Sequence, residues 1–380
     1  GLFNQTIQTA VIYQNHRATA NKASDVLDSI LLNSGTPSTW GRSDAVPTGF
    51  GLQDPEFTQY KLDAFSLMHL NPTIGAPVYY SKVGETGTYY SNMSAGPGSY
   101  LFMQQASTVN YSSAQKMLGV NGTYGFQLRV MPILTVGITE TQLPSQLNLS
   151  IHVEGTGFPL ANARVSCKLF LLSNPYPSFT VMNGTAITNG QGSTTVLFGG
   201  VNSSQSYVFV ASVHLSGLNG VGYCVRNALP SPYVIPLIGN MSSNQVLLAH
   251  SDDVEHVDSA EKTVSYDTTM VNFNSQDFTL QGLQVGITGN VTKGDGNDYG
   301  RVNLSNDPGI LIIAYNSTAT HGGFSLMPWG LSSLPYTVTF GGDPANQEWV
   351  STDMRQVTVN GVAYQAQIAI WSYQGIQVNS

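Results

Sequence analysis

Gln146-Leu147-Asn148-Leu149-Ser150-Ile151-His152-Val153, followed at once by Glu154-Gly155-Thr156-Gly157, decides the fold class. Leu147, Leu149, Ile151 and Val153 recur with a period of two, the pattern of a strand with one buried face. The quartet that follows carries the two glycines of a turn. Reading outward, Pro159 to Ala163 lead into Arg164-Val165-Ser166-Cys167-Lys168-Leu169-Phe170, and Thr188-Asn189-Gly190-Gln191-Gly192 is a second turn. Thr195-Val196-Leu197-Phe198 and Tyr207-Val208-Phe209-Val210-Ala211 then resume the strand pattern. Short strands separated by turns every 8–15 residues or so describe a β-sandwich, here spanning 141–230.

On the N-terminal side, apolar residues at Phe3, Ile7, Ala10, Val11, Ala18, Ala23, Val26, Leu27, Ile30 and Leu31 keep helical spacing, and Gly35 with Pro37 ends the run. This predicts a stalk of some 30 residues, about 45 Å long. It opens a first region, 1–140, with a loop-rich stretch, a short helix over 112–118 and a strand from Phe126. On the C-terminal side, 231–380 reads as a further β domain. Its clearest element is the hairpin Gln356-Val357-Thr358-Val359, Asn360-Gly361, Val362 to Trp371. Asn-Gly between alternating runs suits a turn whose two central residues both need positive φ. The chain is thus mainly β, with an N-terminal helix.

Composition bounds the partners. Of 380 residues, 14 are Lys or Arg and 22 are Asp or Glu, and the net charge is -8. No basic stripe exists to neutralise phosphates, so nucleic acid is excluded as a partner. Mean hydropathy is -0.03, and 19 Tyr with 15 Phe argue against disorder. No stretch near the N-terminus is apolar enough for a signal peptide, so membrane attachment is expected only through a segment outside this sequence. With so few charges, acid has few ion pairs to break, and an unusually acid-tolerant fold is expected.

Asn-x-Ser/Thr triplets begin at Asn4, Asn92, Asn110, Asn121, Asn148, Asn183, Asn202, Asn240, Asn290, Asn303 and Asn316. Eleven is twice the roughly five that this composition gives by chance, which points to N-glycosylation and an extracellular address. Cys167 and Cys224 are the two cysteines, each in an alternating apolar stretch. One disulfide is the simplest expectation in an oxidising compartment, worth about 4 kcal/mol on chain-entropy grounds. Two buried free thiols, or metal ligation, are the alternatives.

Three stretches resemble archaeal membrane-anchored surface proteins of the type IV pilin-like sort. They are Asp25 to Gly41 with Gly49-Phe50-Gly51-Leu52, Met117-Leu118-Gly119-Val120 with Tyr124 to Leu128 and Pro132, and Trp349 to Val357 with its hairpin. Separately, 141–230 resembles the immunoglobulin-like modules of surface and adhesion proteins. The first resemblance implies a helix continuing from a membrane anchor, with Trp40 packing the stalk onto the first domain. The apolar N-terminal stretch that assembles pilin filaments is missing from these residues, so filament formation does not follow from it.

The chemical motifs are sparse. Asp252, Asp253 and Glu255, beside His250 and His256, form an acidic cluster, and Asp295 with Asn297 resembles half a calcium loop. The hard oxygens would favour Ca²⁺ and the histidines a transition metal, yet neither spacing matches a known cation motif, and solvated loops are the simpler reading. No Gly-x-Ser-x-Gly is present. His152, His214 and His321 read as structural histidines. The tyrosines of 79–100 suit either sugar stacking or a core, and Trp329, Trp349 and Trp371 are expected in the core. The expected function is a structural or adhesive cell-envelope protein, acting without catalysis or cofactor on like subunits, other envelope proteins and surface glycans. A secreted carbohydrate-binding protein or glycoside hydrolase, and a virus-borne attachment protein, are the alternatives.

Overall fold

The computed structural model describes every residue except 1, 44, 71–75, 79–89, 97–98, 105–108, 174–176, 229–233, 241–243, 251–264, 274–277, 284, 289–298, 317–321, 331–336 and 374–380. The order of elements is that of a mainly β protein with one long helix at its start. That helix, α1, spans Leu2–Leu31. Its inward stripe runs through half-buried Ile12 and His16 to buried Thr19, Ala23, Val26, Leu27, Ile30 and Leu31. From residue 5 to 18 every other position is exposed, including Ile7, Val11 and Tyr13. The C-terminal half of the helix is therefore core, and its N-terminal half is solvated.

The central sandwich contains the alternating strands, and its first strand, Leu134–Leu143, begins before residue 141. Ser193–Gly199, Gln146–Gly155 and Leu134–Leu143 make one antiparallel sheet. Phe179–Ile187, Arg164–Leu172, Tyr207–Leu215 and Leu218–Arg226 make the other. Between them lie Leu147, Leu149, Ile151 and Val153 against Val165, Leu169, Tyr207, Phe209 and Val213, all fully buried. This is an immunoglobulin-like arrangement of seven long strands in two sheets. The four-stranded sheet is covered on its second face as well. Phe170, Val208, Val210 and Val225 share a core with Val271, Ile310 and Phe324, which is why Tyr207 to Val213 is buried without alternation.

The expected disulfide is not formed: both cysteines are free. In antibody-type domains the bridge crosses between the sheets from the second strand to the sixth. Here Cys167 and Cys224 lie on the third and seventh of the sandwich's long strands, both in the four-stranded sheet, opposite Ala211 and Phe209 of the strand between them. Two strand spacings alone put them about 9.6 Å apart, and the two-residue offset between Ala211 and Phe209 adds to that, beyond the Cα separation of about 6.8 Å that a disulfide tolerates.

Outside the sandwich, sheet membership crosses the division at 140 and 230. A five-stranded sheet orders Lys61–Leu62, Val350–Val359, Val362–Ser372, Tyr124–Pro132 and Val338–Gly341. A seven-stranded sheet joins Phe278–Leu283, Ser265–Phe273, Gly309–Asn316 and Gly322–Trp329 to Ser99–Gln104, Tyr90–Gly96 and Ala76–Val78. Each includes a parallel pairing between early and late chain, Lys61 with Thr358 and Leu101 with Leu326. A four-stranded sheet of Val234–Asn240, Gln245–His250, Tyr299–Asn303 and Val285–Thr288 completes the set among the described residues. Asn227 stitches the sandwich to the seven-stranded sheet, donating to the Phe324 carbonyl at 2.9 Å and accepting its N–H at 2.8 Å. Asn219 does the same for the C-terminal hairpin, donating to the Gly361 carbonyl at 3.0 Å. That hairpin turns at Asn360 and Gly361, both at positive φ.

Candidate functional site

A cleft of about 1140 Å³ opens between the solvated half of α1 and the open end of the C-terminal hairpin. The hairpin sets its floor. Val350 pairs with Trp371 where the two strands diverge, so Trp349, Trp371 and Tyr373 gather at one end. Helix α1 contributes Val11, Asn15, His16 and Thr19 from successive turns of one face, and Asn346, Gln347 and Glu348 close the far side. The His16 and Trp349 rings meet edge to face, 4.4 Å between centroids at 85°.

The three aromatic residues differ in state. Trp371 is 3% exposed and its indole N–H has no hydrogen-bond partner among the described residues. It lies so close over Gly125 that a Cβ there would come within 2.3 Å of Nε1, so the indole requires that glycine. Trp349 is 43% exposed and Tyr373 51%. Trp329 and Trp371 are core as expected. Trp349 is not, because it precedes the strand and leans on a helix rather than on a sheet. The Tyr373 hydroxyl accepts a bond from Gln115 Nε2 at 3.1 Å, and its N–H donates to the Thr123 carbonyl at 2.9 Å. Behind it, burial pushes the Tyr111 hydroxyl up to about 12, against the lowering pull of the Phe126 N–H that it accepts at 2.9 Å.

This lining can hold a ligand. Half-exposed rings offer flat apolar faces beside amide, hydroxyl and carboxylate groups, the mixture that suits sugars and protein loops. Glu348 is the one carboxylate among the described lining residues, whereas glycoside hydrolysis requires a pair.

A second constellation escaped sequence reasoning. Ser193 lies directly across from His152, with Glu154 two residues on and so on the same face. His152 Nδ1 lies 2.8 Å from Ser193 Oγ, and Nε2 lies 3.0 Å from Glu154 Oε1. The order serine, imidazole, carboxylate is that of a nucleophilic triad. The amides that could stabilise an oxyanion beside it are committed elsewhere. Gln191 N and Ser193 N both donate to Asn189 Oδ1, and Gly192 N donates to the Asn189 carbonyl. With His152 and Glu154 nearly half exposed on a flat sheet face, the trio is a surface hydrogen-bond ladder. His214 behaves as expected, its Nδ1 2.6 Å from Asn219 Oδ1.

The remaining sequence candidates separate by position. Asn110, Asn121, Asn183, Asn202 and Asn303 are exposed, while Asn148 is half-buried at the centre of its sheet. The side chains of Asn4, Asn92, Asn240 and Asn316, the whole of Asn290, the acidic residues Asp252, Asp253 and Glu255, and the pair Asp295 and Asn297 lie outside the described residues. His321, and the side chains of the tyrosines between 79 and 100, lie outside them too. Among the described residues no cluster of three His, Cys, Asp or Glu side chains could hold a metal.

No protein-family model and no curated protein matches this sequence. Among solved structures, a titin fragment, A168169, is 10% identical, covering 52% of this chain and 97% of its own, at a TM-score of 0.16. A fragment of three titin immunoglobulin domains is 9% identical, covering 64% and 90%, at 0.15. Red sea bream transglutaminase is 10% identical, covering 57% and 32%, at 0.17. Scores this low carry no weight beside the strand order and facing cores, on which the assignment of a mainly β chain with an immunoglobulin-like sandwich rests.

Proposed function

We propose that the protein is an extracellular structural or adhesive component of a cell envelope, a pilin-like surface ectodomain that works through contacts with envelope proteins or glycans. One observation carries the reading. The solvated half of α1 and the open end of the hairpin frame a cleft whose Trp349 and Tyr373 rings are half exposed beside polar side chains. A rigid ring supplies contact area at small entropic cost, as binding surfaces require. The excess of Asn-x-Ser/Thr triplets supports the extracellular address.

The test has two parts. Whole cells that make the protein are treated with a membrane-impermeant amine label, and the purified protein is titrated onto isolated envelopes. Labelling of the native protein is expected, with envelope binding weakened at least tenfold by Trp349→Ala and Tyr373→Ala together while melting is unchanged. An unlabelled protein would remove the surface placement. Turnover of a saccharide that is lost with Glu348→Gln would replace adhesion with hydrolysis.

A further inference from the structure

Two of the described triplets share a geometry that the others lack. In Asn110-Tyr111-Ser112, Asn110 Oδ1 accepts the Ser112 N–H at 2.9 Å and the Ser112 hydroxyl at 2.8 Å. In Asn202-Ser203-Ser204, Asn202 Oδ1 accepts the Ser204 N–H at 3.0 Å and the Ser204 hydroxyl at 2.6 Å. In both, the triplet's own hydroxyl is folded back onto the amide that a glycan would modify. Both asparagines are exposed, and among the described residues neither Nδ2 donates to a partner.

The Asn202 loop is also held in place. Arg226 is 6% exposed and donates to the Asn202 carbonyl at 2.8 Å and to the Gln205 carbonyl at 3.2 Å. The same guanidinium lies 3.6 Å from Glu140 and sits over the Tyr207 ring, 4.8 Å from its centroid. The asparagine is therefore presented by a loop anchored on a buried charge. Asn148-Leu149-Ser150 is the opposite case. It lies mid-strand between partners on both sides, opposite Leu197 and Thr141, and its Oδ1 is buried without a hydrogen bond among the described residues.

We propose that Asn110 and Asn202 are the occupied N-glycosylation sites of this set, and that Asn148 is left unmodified. The inference rests on the extracellular reading above. The donor is an oligosaccharide linked through phosphate or pyrophosphate to a polyprenol, delivered by a membrane-bound transferase. Asn Nδ2 attacks the anomeric carbon of the first sugar. The C–N bond forms, the anomeric C–O bond breaks with the phosphate as leaving group, and Nδ2 gives up one proton to the transferase. A hydroxyl donating to Oδ1 makes the Nδ2 protons more acidic, which eases their loss to the transferase's base, and it fixes the plane of the amide. After transfer, Oδ1 still accepts its backbone and hydroxyl bonds, so the modified protein keeps both the Asn110 cap of the helix Tyr111–Met117 and the Asn202 loop. Modification of Asn148 would instead need the middle of a sheet to open.

Protein purified from cells that make it is digested and its glycopeptides are mapped by mass spectrometry. The same cells are surface-labelled as above. The expected result is saccharide on Asn110 and Asn202 and none on Asn148. Ser204→Ala is expected to remove the Asn202 glycan while Asn110 keeps its own. Saccharide on Asn148 at an occupancy equal to the other two, or surface-labelled protein bare at both Asn110 and Asn202, would overturn the assignment and leave the surface reading standing. Protein that the surface label never reaches would overturn that reading itself.

Discussion

The Trp40 indole N–H donates to the Gly51 carbonyl at 3.0 Å, and around that bond the C-terminus of helix α1 is closed. Gly35 takes φ +83° just after the helix, and a Cβ there would strike the Gly49 carbonyl and the Trp40 ring. The Thr36 N–H donates to the Gly49 carbonyl at 3.0 Å, and the Leu52 N–H caps the Ile30 carbonyl at 2.8 Å. Leu52 thus supplies a donor that the helix end lacks, while the Gly49 and Gly51 carbonyls accept from Thr36 and Trp40. Trp40, 1% exposed, packs on Phe50 and His69. Trp40→Phe keeps the packing and strips the carbonyl of its donor, a loss of about 1–3 kcal/mol. Trp40→Ala should cost about 3–5 kcal/mol. Gly51→Ala places a Cβ 2.1 Å from the Asn33 carbonyl and should be the most damaging of the three. Urea denaturation with helical circular dichroism gives the order, and a Gly51→Ala protein as stable as Trp40→Phe would contradict the clasp.

Free thiols make the second prediction. Burial pushes the Cys167 thiol up to about 11, despite the opposing Gly184 backbone bond, and burial raises Cys224 as well. Neither is poised to react in the folded protein. Unfolding in urea without reductant should expose two alkylatable thiols per chain, against none or nearly none when folded, and reductant should leave the intact mass unchanged. A mass gain of two hydrogens on reduction would restore the disulfide.

How far the sequence carried this reading depends on whether the signal was local. The alternation from Leu147 to Val153, the helix to Leu31, the Asn360-Gly361 turn and the stop at Gly35 are each set by neighbours in sequence, and each formed. The parallel pairings of Lys61 with Thr358 and of Leu101 with Leu326 join segments hundreds of residues apart. A period of two says which face of a strand is buried and is silent on its neighbour. The cysteines failed for the same reason. Their strands were legible, but the Tyr207–Leu215 strand that separates them was a matter of sheet order. In the candidate cleft, His16 showed only as one polar residue of a helix, and Trp349 looked like core. Its clue was the strand start at Val350, which leaves the preceding residue outside the sheet.

Helix docking supplies a third prediction. Arg355 Nη2 reaches Ser24 Oγ at 3.1 Å and Asp28 at 3.3 Å on α1, while Nη1 holds Asp353 at 2.7 Å. Arg355→Met keeps the aliphatic stem and removes the fork. The loss should be about 1 kcal/mol, as for a partly solvated network, and it should shrink in 1 M salt because the wild type loses the same attraction. A loss that is independent of salt would assign Arg355 a packing role alone.

The pH dependence of stability follows from two carboxylates that pull in opposite directions. At Asp353 burial alone would raise the carboxyl, but bonds from Arg355, the Met354 N–H and Ser24 hold it below the usual range. Its contribution is therefore present above the ordinary carboxylate value of about 4 and is lost as pH falls through the lower folded value. At Asp267 burial raises the carboxyl and only the Thr268 N–H opposes it. That group favours folding while protonated, and the benefit is lost as pH rises through the raised value, leaving a penalty at neutrality. Asp267→Asn should raise the melting temperature at pH 7 and leave it unchanged below pH 3, where the native side chain is already neutral. Asp353→Asn should lower it at pH 7, by an amount that fades in acid. With 14 basic residues and 22 acidic ones in 380, few other pairs exist to break, so the wild-type melting temperature should shift only slightly between pH 7 and pH 3. A steep fall over that interval would mean that carboxylates other than Asp353 hold the native state, and would refute acid tolerance by charge poverty.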